Sequence, residues 1–106
     1  MPKFLVHANY TAEGAKGVLK DGGSARREAV ERLLATVGGK LDAFYFTFGD
    51  DDAILIVDLP DNEAALAVGM AVGASGAVRS RTTVLIPIEE VDRAAKRQIS
   101  FRPPGA

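Results

Sequence analysis

The sequence contains no cysteine and a single histidine among its 106 residues. The absence of cysteine excludes disulfides, thiolate catalysis and zinc–thiolate sites, and one histidine excludes a metal centre built from several histidines of the same chain. The formal net charge is only −1, and no basic stripe with interleaved aromatic residues is present. We therefore expect no metal and no nucleic-acid partner.

Long apolar runs are also missing. No stretch approaches the length of a transmembrane helix, and the N-terminal sequence MPKFLVHANY lacks the apolar core of a signal peptide. These absences predict a cytoplasmic protein with no membrane partner. Hydrophobic residues nevertheless make up 47% of the chain, which suffices for a folded core. We expect one domain over residues 1–97 and an extended C-terminal tail over 98–106.

The stretch from Lys40 to Pro60 predicts a β-hairpin on which the rest of the chain is organised. Aromatic residues alternate with Tyr45 and Thr47 in its first half, and apolar residues alternate in its second half. With Asp50 and Asp51 at the tip, Phe46 faces Leu55 and Phe44 faces Val57. We therefore expect nearly complete burial of these four apolar residues: Phe44, Phe46, Leu55 and Val57.

The remaining elements follow from the same periodicities and from helix-capping residues. Thr11, Ser24 and Asp61 are predicted N-caps, and the Asp21-Gly22-Gly23-Ser24 segment is expected to break the first helical region. The predicted elements are a strand at Lys3 to Asn9, helices at Ala25 to Val37 and Asp61 to Ala74, a strand at Ala77 to Pro87, and a terminal helix at Ile88 to Arg97. Right-handed crossovers then predict an α+β ferredoxin-like split βαββαβ fold, with strand order 4-1-3-2 and both main helices on one face.

Several short motifs, in this order, resemble the GYD domain family. They are Asn9-Tyr10-Thr11-x-x-Gly14, Gly39-Lys40, Gly49-x-x-Asp52, Arg79 before a Thr-rich strand, and Arg102-Pro103-Pro104-Gly105. Asp51 stands where this family usually has a tyrosine, so no role of that tyrosine carries over. The resemblance implies a ferredoxin-like domain of the dimeric α/β barrel kind, and it implies no established activity. Gly49 and Asp52 are themselves typical turn residues.

The sheet face away from the helices carries the candidate ligand-binding residues, which are His7, Asn9, Tyr45, Arg79 and Arg81. His7 can transfer protons near neutral pH, or it can be a hydrogen-bonded interface histidine. The two arginines can bind a carboxylate or phosphate, or they can pair with acidic residues such as Asp52 or Asp58, or protect the sheet edge. We interpret the Asp50-Asp51-Asp52 run as an exposed turn, because no calcium-loop spacing follows it.

Two classes of function remain open at this point. The first is a small-molecule site for an anionic or aromatic ligand in a homodimer, either as a binding module or as a cofactor-free oxygenase-like or isomerase-like enzyme. The second is a non-catalytic oligomerising or regulatory module. No glycine pattern follows a strand in the manner of a nucleotide loop, so we expect no cofactor. Self-association is expected in both cases, because the uncovered face is strongly apolar.

Overall fold

The computed structural model describes residues 1–106 and has an α+β architecture with a four-stranded antiparallel sheet. Its elements are β1 (Lys3–Tyr10), α1 (Ala12–Ala35), β2 (Lys40–Phe46), β3 (Ala53–Asp58), α2 (Asn62–Ala74), β4 (Val78–Leu85) and α3 (Ile88–Ala95). The strand order is β2-β3-β1-β4, which is the predicted order read from the opposite edge. The central strand β1 therefore has β3 on one side and β4 on the other.

Two of the three predicted helix caps are confirmed, whereas Ser24 lies within α1 and its side chain accepts no capping hydrogen bond. The Thr11 hydroxyl accepts a hydrogen bond from the Gly14 backbone N–H at 3.3 Å, and the Asp61 carboxylate accepts one from the Ala64 N–H at 2.8 Å. Each bond satisfies a backbone donor that the first helical turn leaves unpaired. The predicted break in the first helical region takes the form of a kink within α1, where Gly22 has a φ of 82° and a ψ of 172°. Glycine suits this position because it tolerates positive φ.

The hairpin register differs from the prediction by two residues. Phe44 pairs with Leu55, and Phe46 pairs with Ala53. The hairpin connection is longer than a two-residue tip, since the Thr47 N–H donates to the Asp52 carbonyl at 2.9 Å. The tip is accordingly centred between Gly49 and Asp50. A shift by an even number of residues leaves every side chain on its predicted face.

This shift corrects the predicted burial of the phenylalanines. Phe46 is 48% exposed and Phe44 is half-buried, because the register moves both residues toward the outer end of the hairpin. Leu55 and Val57 are buried as predicted. They belong to a core that also contains Phe4 from β1 and Leu34 from α1. The core lies between the sheet and the helices α1 and α2.

The C-terminal part of the chain extends from this body. Every residue of α3 is exposed, and α3 ends at Ala95 rather than at the predicted Arg97. Residues 98–106 contain no helix or strand. The radius of gyration is 17.3 Å, whereas a compact domain of this length has about 13 Å. None of the three helices combines the length and the apolar character that crossing a membrane requires.

Candidate functional site

One row of side chains crosses all four strands on the uncovered face of the sheet. Tyr45 pairs with Ile54, Ile54 pairs with His7, and His7 pairs with Arg81. Adjacent strands lie about 4.8 Å apart, so the backbones of Tyr45 and His7 are separated by about 10 Å. Phe4 and Ala8 on β1 are buried beneath the helices, and strand alternation directs His7 to the other face.

The Asp51 carboxylate lies at the centre of a polar cluster on this face. It accepts hydrogen bonds from His7 Nδ1 at 2.9 Å and from Asn9 Nδ2 at 3.2 Å. Arg81 Nη2 approaches the two carboxylate oxygens at 3.3 and 3.4 Å. The Asp51 side chain is only 14% exposed. The loop between β2 and β3 thus places a carboxylate over β1 and beside β4.

The neighbours of Asp51 anchor this loop to the sheet. The Thr47 hydroxyl donates to the Asp51 carbonyl at 2.6 Å, which closes the loop on itself. The Asp52 N–H donates to the Ala8 carbonyl at 3.0 Å, and the Asp52 carboxylate accepts from the Tyr10 N–H at 2.9 Å. Because both adjoining segments are fixed by hydrogen bonds, the Asp51 side chain is held in one position.

The environment of Asp51 favours its ionised form. Partial burial by itself raises the pKa of the Asp51 carboxyl. The hydrogen bonds from His7, Asn9 and Arg81, together with the charge of Arg81, lower the pKa by more than burial raises it. The pKa of Asp51 therefore lies below its ordinary value. An ionised carboxylate only accepts hydrogen bonds, so His7 carries a proton on Nδ1. His7 Nε2 has no hydrogen-bond partner within the chain. A carboxylate that fixes one imidazole nitrogen and leaves the other free is the arrangement that orients a histidine for proton transfer.

Three of the five candidate residues therefore lie together, since His7, Asn9 and Arg81 all contact Asp51. Arg79 pairs with Asn9 in the adjacent row and makes no ion pair. Tyr45 is 70% exposed and lies two strands from His7, outside the cluster.

Pairing with an acidic residue is confirmed for Arg81, but neither of the two partners named from sequence is the one observed. Arg81 pairs with Asp51 at 3.3 Å, while Asp52 bonds to the backbone of β1. Asp58 is buried and pairs with Lys3 at 2.9 Å. The partners could not be identified from sequence, because the direction in which a loop carboxylate points depends on contacts with residues distant in sequence.

Asp51 is the functional candidate that sequence reasoning missed, because its interpretation as an exposed turn residue was wrong. One signal was available. A histidine at the centre of a sheet needs a polar partner, and Asp51 precedes the strand that neighbours β1. The motif residue Gly49 lies at the tip of the same loop with a φ of 100°, a conformation that favours glycine.

Comparison with known proteins adds a family to this geometry. The search of curated proteins found no match. The family model described as the GYD domain matches residues 4–95, a range that contains all three helices and the whole sheet except Lys3. The matched range contains every member of the Asp51 cluster. The chain therefore belongs to the GYD domain family.

Proposed function

We propose that the protein is a homodimer of ferredoxin-like, dimeric α/β barrel type that binds a small molecule over the uncovered sheet face. His7 exchanges a proton with this ligand, and Asp51 orients His7. The observation that carries the proposal is the 2.9 Å contact between His7 Nδ1 and Asp51, which leaves Nε2 free on a face that no helix covers.

The charges around His7 support a ligand that is both anionic and able to share a proton. Arg79 has no ion pair, and only the Nη2 atom of Arg81 contacts Asp51. The Arg81 side chain is 68% exposed, so its other N–H groups remain available. Guanidinium groups bind carboxylates by paired hydrogen bonds. A small aromatic carboxylate with a phenol group meets both requirements.

The apolar residues of the same face support self-association. Leu5, Ile54, Ile56 and Leu85 are only half-buried in the single chain. A second copy packed over this face by a two-fold axis buries these side chains and lowers the effective dielectric around the Asp51 cluster. Ligand hydrogen bonds are stronger in that environment than in open water.

A matched ligand pair tests the role of His7. The probes are 4-hydroxybenzoate, which has a phenol proton, and 4-methoxybenzoate, which lacks it; both carry the carboxylate. We expect calorimetric titration to show tighter binding of 4-hydroxybenzoate. His7→Gln should remove this difference, and Arg79→Gln should weaken both ligands. Thr83→Val, on the same face in the next row, is the control. A preference that survives in His7→Gln contradicts the proposed role of His7.

Light scattering tests the dimer. Ile56→Glu places a charge in the proposed interface and should yield a monomer, since an unpaired buried charge strongly opposes association. Leu66→Glu is the matched control, because Leu66 is a 65% exposed apolar residue on α2. A monomeric wild-type protein at micromolar concentration contradicts the proposal. A dimer that persists in Ile56→Glu means that another surface forms the interface.

The non-catalytic oligomerising module remains the second candidate because of one feature of the cluster. Asp51 already supplies an acidic partner to Arg81 and a hydrogen-bond acceptor to His7, so the cluster needs no ligand for its own stability. A dimer that binds neither benzoate probe favours this candidate. Proton abstraction from a bound substrate by His7 Nε2 instead favours an isomerase-like or oxygenase-like enzyme.

A further inference from the structure

A cavity lies on the side of the sheet opposite to His7, between the sheet and the helices α1 and α2. Its volume is about 70 Å³, and fourteen of its eighteen lining residues are hydrophobic. A single water molecule needs only about 10–15 Å³ on such a measure. The cavity is therefore large enough for several non-hydrogen atoms of an apolar molecule.

Small residues on α2 leave this space open. Ala65 and Gly69 both line the cavity, and Gly69 has no heavy atom within 4 Å of the position that a Cβ would occupy. Only Ala64 is buried in α2. Small residues on a helix usually allow it to pack closely against a sheet. Around Gly69 they instead leave an unfilled volume above the strands.

Arg26 is the only charged residue that lines this cavity. Its Nε atom is buried and has no hydrogen-bond partner, and no carboxylate lies within ion-pair distance of its guanidinium group. A buried guanidinium N–H without an acceptor is unfavourable, so such groups are normally paired. The other polar side chains that line the cavity, those of Tyr10, Ser80 and Thr82, carry neutral hydroxyls and do not compensate the charge.

We propose that this cavity binds a small apolar carboxylate, with its hydrocarbon part among the core residues and its carboxylate on Arg26. A carboxylate satisfies the Nε donor and neutralises the charge through a charge-assisted hydrogen bond. The apolar lining explains why the ligand carries one charged group and is otherwise hydrocarbon. This site is separate from the His7 site, because the two lie on opposite faces of the sheet.

The test compares hexanoate with hexanamide, which has the same length and no charge. Titrations followed by ¹³C-methyl NMR report binding through the Val30 and Val68 methyl groups, which line the cavity. We expect hexanoate to bind at least about tenfold more tightly than hexanamide, as a charge-assisted hydrogen bond requires. Arg26→Gln should abolish this preference, and Arg27→Gln, at an exposed neighbouring position, should retain it.

Two further variants distinguish binding inside the cavity from binding at another surface of the protein. Val68→Phe should fill the cavity and abolish hexanoate binding while Arg26 is retained, provided that its thermal unfolding remains cooperative. His7→Gln should leave hexanoate affinity unchanged, so that failure of the His7 proposal does not affect this one. The proposal is overturned by equal affinity for the acid and the amide, by an unchanged preference in Arg26→Gln, by methyl shifts located elsewhere, or by no binding to the wild-type protein.

Discussion

Alanine substitutions at Phe46 and Leu55 should have clearly different effects on stability. Leu55 is 7% exposed in the core, so we expect Leu55→Ala to lower the free energy of unfolding by about 3 kcal/mol. Phe46 is 48% exposed, and its ring centroid lies 5.2 Å from that of Phe44 and 6.4 Å from that of Tyr10, with one edge of the ring close to Gly23 of α1. Because about half of its side chain is buried, Phe46→Ala should have about half the effect of replacing a fully buried phenylalanine. We expect it to lower the free energy of unfolding by about 2 kcal/mol.

Urea unfolding at a single protein concentration measures both effects, since association would otherwise change the apparent stability. Phe48→Ala is the control: Phe48 is fully exposed, and its substitution should alter the unfolding free energy by less than about 0.5 kcal/mol. A loss for Phe46→Ala equal to or larger than that for Leu55→Ala refutes the observed pairing of Phe46 with Ala53. It would also move Tyr45 out of the row that contains His7.

Two further predictions concern the glycine packing and the acidic cluster. Gly14→Ala should lower the unfolding free energy by about 3 kcal/mol, because the added Cβ would lie 2.0 Å from the Ala77 carbonyl oxygen. Gly17 has open space around it. Gly17→Ala should therefore stabilise the helix by about 0.5–1 kcal/mol in the same denaturation assay. The pKa of Asp51 is lower in the folded protein than its ordinary value of 3.8. Its stabilising effect is therefore complete above that value and is lost as the pH falls through the lowered pKa. The melting temperature should therefore fall less steeply at acidic pH in Asp51→Asn than in the wild-type protein. An equally steep fall in the variant would contradict the role assigned to this carboxylate.

The order of elements and the caps at Thr11 and Asp61 were predictable because they depend on local chemistry. Thr11 and Asp61 precede helical patterns and bear side chains that accept from the first turn, which requires no knowledge of the rest of the fold. The kink at Gly22 followed likewise from two adjacent glycines. The strand order followed from the handedness of crossover connections, which is a general property of the backbone.

The hairpin register was not predictable from its apolar pattern. Alternation has a period of two, so pairing Phe46 with Leu55 or with Ala53 places it on the same face. The choice between them depends on the loop, where Thr47 bonds to Asp51 and Asp52. The loop is in turn held by contacts with β1, which is more than 35 residues away in sequence. Local patterns carry no information on such contacts.

The position of Asp51 determines what a ligand of the uncovered face can be. From sequence, His7 and Arg81 were expected to hold a ligand anion, yet the protein places its own carboxylate between them. A ligand that brought its charge to the same point would be repelled by Asp51 at close range. In the proposed site, the charge of the ligand therefore meets the outer N–H groups of Arg81 and, one row away, Arg79. Its proton-sharing group then faces His7 Nε2, because Asp51 has already fixed the other nitrogen of the ring.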